Sequence, residues 1–99
     1  MDTTRELLAK IRERPGMYLP KPCPILLSTF LRGWSLGRGS VPDYGILNEF
    51  QSWVAERYKI TTSHGWAAII EFFGGGGEDA FDLFFDLFEE FESVRGGGS

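Results

Sequence analysis

Carboxylates dominate the chemistry available to this chain, and seven of them fall between residues 78 and 94, EDAFDLFFDLFEEFESV. They are Glu78, Asp79, Asp82, Asp86, Glu89, Glu90 and Glu92, with no base until Arg95. Carboxylates can act as an acid/base pair, ligate a metal or recognise a basic partner. Acid/base catalysis needs two of them in different environments around a cleft, and a solvated row does not supply that. Zinc needs His or Cys beside them, and calcium needs alternating oxygen ligands in a loop; neither pattern is present. Recognition of charge remains. Asp79, Asp82, Asp86 and Glu89/Glu90 recur every three or four residues, which places them in one stripe of a helix. Like charges at that spacing repel by a few tenths of a kcal/mol per pair, and carboxylates in a last helical turn oppose the macrodipole. The stripe is either a solvated face or a surface that a basic partner would neutralise.

Other reactive groups are sparse. The one histidine, His64, adjoins Ser63, and neighbouring side chains do not form a dyad. Cys23 is the one cysteine, so an internal disulfide and a cysteine metal cluster are both excluded. It lies between prolines with no base near it in sequence, which predicts a packing role. Gly74–Gly77 lacks the Lys-Ser/Thr of a phosphate-binding loop and reads as a flexible joint. No catalytic residue, metal or cofactor is expected.

The elements that must position the stripe are all helical by pattern. Thr3 and Glu6 form a capping box, Leu7, Leu8 and Ile11 give an apolar face, and Pro15-Gly16 ends the first helix. Residues 15–24 hold four of the five prolines and predict a rigid loop from which Met17, Tyr18 and Leu19 tuck inward. A second helix starts near Pro24 and stops at Gly37. A third carries Ile46, Leu47, Phe50, Trp53, Val54 and Tyr58. Ser63 caps a fourth bearing Trp66, Ile69, Ile70 and Phe73. In the fifth, Phe81, Phe84, Phe88 and Phe91 form an aromatic stripe. Ile60-Thr61-Thr62 is too short to found a sheet. The expected fold is all-α: a single compact bundle of about five short helices with a Trp/Phe core. Residues 1–95 form the domain, and Gly96–Ser99 reads as an added linker.

A chain of 99 residues with 42% apolar and 15% aromatic content can bury one core. The amphipathic N-terminal segment is no secretory signal, and no apolar run approaches a membrane span. The expected compartment is the cytoplasm. Charge is segregated: residues 1–38 carry a net +4, residues 39–77 a net −2 and residues 78–99 a net −6. The two ends of the chain can pair with each other. The overall charge of −4 argues against nucleic-acid binding and suits a basic protein partner. Asp79, Asp82, Asp86, Glu89 and Glu90 are the candidate binding residues, with Tyr44 and Trp53 as candidate aromatic anchors. The alternative is self-association: the Phe-rich helix is apolar on most of its circumference, and one small bundle is not expected to bury it fully. The chain is then a monomer or a homodimer.

Two resemblances bear on this. Leu7–Leu19, LLAKIRERPGMYL, resembles the start of the ATPase domain of DNA gyrase B subunits, where R-P-G-M-Y-I-G follows a helix. In that family the next helix carries E-x-x-D-N-A, whose Glu activates water and whose Asn holds magnesium. Here the next helix, ILLSTFLRGWSL, has no Glu, Asp or Asn, so no ATPase activity is implied. A second resemblance runs through RERPGMYL (12–19), FLRGW (30–34), FQSWVAERY (50–58), SHGWAAIIEFF (63–73) and AFDLFFDLFEEF (80–91). These segments resemble small acidic helical bacterial proteins similar to the immunity proteins of polymorphic toxins. That implies a non-catalytic inhibitor that occludes a basic toxin, such as a nuclease. Pro20 stands where that group has Gly, and Gly74–Gly77 replaces a mixed polar turn, which suggests an edited sequence.

Overall fold

The computed structural model describes residues 3–39, 41, 43–61 and 64–97. Five helices run in the order α1 (Thr4–Glu13), α2 (Pro24–Arg38), α3 (Ile46–Arg57), α4 (Trp66–Phe73) and α5 (Gly77–Gly97). A 3₁₀ turn at Pro15–Met17 separates α1 from α2, and no strand occurs among the described residues. The all-α bundle expected from the pattern is the fold. No helix is long and apolar enough to cross a membrane.

Local signals place most helix ends. The Thr3 hydroxyl accepts from the Glu6 N–H, and the Glu6 carboxylate accepts from the Thr3 N–H, as a capping box requires. Pro24 sits in the first turn of α2, where its missing N–H is no loss. The stop expected at Gly37 is corrected: α2 runs through Gly37 to Arg38 and ends at Gly39, the glycine with a left-handed φ of 81°. The Ser63 cap lies outside the described residues. The fourth helix starts at Trp66, and its cap comes from α3, where the Gln51 side-chain oxygen accepts from the Trp66 N–H.

The core is an aromatic cluster around Phe50. Its ring meets Trp66, Phe84, Phe88 and Phe91 edge-on, with centroids 5.2–5.8 Å apart, and stacks on Trp53 at 6.1 Å. Leu7, Leu8 and Ile11 of α1, Leu27 and Leu31 of α2 and Ile69 and Ile70 of α4 complete it. Leu19 is buried and Tyr18 packs edge-on against Phe30 at 5.9 Å, but Met17 is 69% exposed and does not tuck in. Trp53 and Trp34 are only half-buried.

The expectation for α5 changes in two ways. Phe81, Phe84, Phe85, Phe88 and Phe91 are all buried inside the one chain, so a single bundle does cover the aromatic stripe. The helix also continues past Arg95 to Gly97, into the segment read as a linker. At Gly74–Gly77, where a flexible joint was expected, the backbone forms a hydrogen-bonded turn. Gly75, Gly76 and Gly77 have φ of 81°, 82° and 58°, a conformation that costs other L-residues roughly 1–2 kcal/mol. A Cβ on Gly74 would stand 2.7 Å from the Ala80 Cα and 2.8 Å from the Ile70 carbonyl oxygen. Glu71 closes the turn: its carbonyl accepts from the Gly76 N–H at 3.1 Å and its carboxylate from the Gly77 N–H at 3.1 Å.

Candidate functional site

The fold divides the acidic stripe of α5 in two. Towards its C-terminal end the carboxylates are neutralised by arginines of the same chain. Glu89 meets Arg12 of α1 at 2.7 Å, and Glu92 holds Arg5 of α1 with both oxygens, at 2.6 and 3.3 Å. Glu90 pairs with Arg57 of α3 on the opposite flank. Arg95 returns the arrangement, donating to both oxygens of Glu49 of α3 at 3.1 and 2.9 Å. Those two hydrogen bonds draw the Glu49 carboxyl below, and the Arg95 guanidinium above, their ordinary pKa values. The pairing of chain ends foreseen from the charge distribution is therefore realised, as α5 tied to α1 and α3 by four arginines.

Towards its N-terminal end the stripe has no such partners. Glu78, Asp79, Asp82 and Asp86 are exposed, and no ion pair among the described residues includes them. Glu78 and Asp79 stand in the first turn, where the macrodipole favours negative charge. Asp82 and Asp86 lie one turn apart with nothing to offset their repulsion.

The chain matches no family model, no curated protein and no solved structure. What the surface can do must be read from its residues.

The candidate residues do not form one patch. Asp79, Asp82 and Asp86 remain together as unpaired charge, whereas Glu89 and Glu90 are committed to Arg12 and Arg57. The expectation that all five carboxylates face a partner is corrected to that extent. Trp53 shares a cavity with Glu90, Arg57 and Val94; its ring packs on Phe91 at 5.8 Å and lies under the Arg57 guanidinium at 5.4 Å. Tyr44 lines a different cavity, of about 250 Å³, with Ser28, Arg32, Asn48 and Trp66. The two aromatics thus serve different surfaces.

Two features escaped the sequence reading. Asp43, in the connector between α2 and α3, caps α1 from a distance: its carboxylate accepts from the Thr4 N–H at 2.7 Å and the Arg5 N–H at 3.2 Å. Burial pushes its pKa up, but these N–H groups and the Arg5 guanidinium at 3.6 Å hold it below the ordinary value of 3.8. The second is Phe72, 78% exposed beside the half-exposed Phe73. Trp66, Ile69, Ile70 and Phe73 share one helical phase and Phe72 falls outside it, a signal present in the sequence. Phe73 itself, expected in the core, is the last residue of α4 and stacks on Tyr58 at 4.4 Å instead.

Proposed function

We propose that this chain is a non-catalytic binding protein of the immunity type, acting in the cytoplasm, and that the exposed carboxylates at the start of α5 receive a basic protein partner. The observation that carries the reading is the division of the stripe. Three arginines, Arg5, Arg12 and Arg57, occupy Glu92, Glu89 and Glu90, while Asp79, Asp82 and Asp86 are left charged, exposed and aligned. A partner presenting Lys or Arg would relieve the repulsion along α5, speed association and fix its register. The resemblance to polymorphic-toxin immunity proteins supports an inhibitory outcome, with the carboxylates standing where a nuclease would hold substrate phosphates.

The test is a tagged pull-down from lysate of the source cell at low and high salt, beside the variant D79N/D82N/D86N. A basic protein held by the wild type at low salt, and released by the variant, supports the reading. Equal retention by both overturns it. The variant should melt close to the wild-type temperature, because the repulsion it removes is offset by the loss of the favourable Asp79 charge in the first turn of α5, and no ion pair is touched.

A further inference from the structure

Arg32 lines the cavity of about 250 Å³ that also holds Tyr44, and no carboxylate lines it. Among the described residues Arg32 enters no ion pair and its guanidinium has no hydrogen-bond partner. A permanently ionised group therefore stands in a cavity without an anion.

Helix spacing builds the walls. Ser28, Leu31 and Arg32 stand at i, i+3 and i+4 on α2, on one face of that helix. Tyr44, in the turn before α3, and Leu47, Asn48 and Gln51 follow the same spacing on the other side. Both helices rest on α4 and α5 and pack little against each other, so a cleft is left between these faces. Trp66, the first residue of α4, closes it.

The floor is apolar and held in place. Leu31, Leu47 and Trp66 are buried. Gln51 donates to the His64 carbonyl at 3.0 Å and accepts from the Trp66 N–H, which ties the start of α4 to α3. Little ordering remains to be done when a ligand enters, which favours binding. The rim is polar and unused: among the described residues the side chains of Ser28, Tyr44 and Asn48 have no hydrogen-bond partner either. All of them can donate. The carboxylates nearest in sequence are engaged elsewhere, Asp43 with the start of α1 and Glu49 with Arg95.

This lining suits an anion with an apolar body. A guanidinium meets a carboxylate with two parallel N–H···O bonds. One cation balances one negative charge, which fits a carboxylate better than a phosphate monoester carrying close to two. The cavity has the volume of about eight waters at ~30 Å³ each, room for roughly ten non-hydrogen atoms. We infer that the α2–α3 cavity binds a small monocarboxylate built on a single ring, with the carboxylate on Arg32, Ser28 and Tyr44 and the ring on Leu31, Leu47 and Trp66. No residue of α5 lines the cavity, so this site is independent of the acidic surface.

The probe is benzoate, titrated into the isotope-labelled full chain and followed by amide and indole N–H chemical shifts. Benzamide supplies the ring without the charge, acetate the charge without the ring, and phenyl phosphate a second negative charge. A ligand this small is expected to bind with Kd near ~1 mM, so titration runs to about 10 mM. The Trp66 indole and Asn48 side-chain signals should shift saturably with benzoate and not with benzamide or acetate. Arg32→Gln should weaken benzoate about tenfold or more at an unchanged melting temperature, since Arg32 is exposed and holds no partner. Tyr44→Phe, which keeps the ring and loses the hydroxyl, should weaken it about three- to tenfold. Arg14→Gln removes the same charge from the end of α1 and should leave binding unchanged. Absence of saturation by benzoate, equal shifts with benzamide or acetate, equal losses from Arg32→Gln and Arg14→Gln, or tighter binding of phenyl phosphate than of benzoate would each overturn the inference.

Discussion

Asp43 shows how one side chain can hold two distant pieces of chain. Its carboxylate satisfies the Thr4 and Arg5 N–H groups, two of the orphan donors at the start of α1. Asp43→Asn should cost about 1–2 kcal/mol at neutral pH, the range for losing such a cap. The sign of its pH dependence follows from its lowered pKa. The carboxylate stabilises the fold above its unfolded value near 3.9, and that contribution disappears as pH falls through the lower folded value. The gap between wild type and Asp43→Asn in urea unfolding should therefore close below about pH 4. Phe50 is a second decisive residue, fully buried and touching five other aromatic rings. Phe50→Ala should cost about 3–5 kcal/mol, enough to unfold much of a domain whose total stability is about 5–15 kcal/mol. Chemical denaturation followed by Trp fluorescence measures this directly.

Among the elements, α5 does two jobs along one length. Its buried side is continuous, from Ala80 to Phe91, while its exposed side changes character near Asp86. Asp82→Asn with Asp86→Asn should raise the melting temperature slightly by removing an i, i+4 repulsion of a few tenths of a kcal/mol. Glu90→Gln should lower it or leave it unchanged, since an exposed pair contributes about 0–1 kcal/mol. Opposite signs from the same chemical change would confirm that the stripe is divided. Glycines in different elements are unequal in the same way. Gly33 lies inside α2 with open space where a Cβ would go, so Gly33→Ala should stabilise by about 0.5–1 kcal/mol. Gly74→Ala would drive a methyl into the Ala80 backbone and should cost about 1–3 kcal/mol. Thermal melts of the two variants should move in opposite directions.

Across the whole molecule, what could be read in sequence was what neighbouring residues decide. The Thr3–Glu6 box, Pro24 in the first turn of α2 and the apolar phase of α3 are local signals, and the helices they mark are where they were expected. The ends tied down from elsewhere were not legible. Asp43 reaches α1 across 39 residues, and Gln51 caps α4 across 15. Neither carries a mark that distinguishes it from any other polar connector or helix residue. The site divides likewise. The carboxylates and their spacing were visible, but which would be quenched depended on where Arg12 and Arg57 arrived. Segregated charge predicted that the ends would meet; it could not predict that the meeting would stop short of Asp86.

The turn between α4 and α5 has a consequence in terms of handedness. Three consecutive residues, Gly75 to Gly77, trace backbone that belongs to the mirror-image amino acids. Gly75 is exposed at φ 81°, a value at home for a D-residue. In chain made by chemical synthesis, D-alanine at Gly75 should restrict the unfolded ensemble and raise stability by about 0.4–1 kcal/mol, where L-alanine lowers it. The sign of that single stereocentre, read by thermal melting, reports whether the glycines are there for shape or for slack.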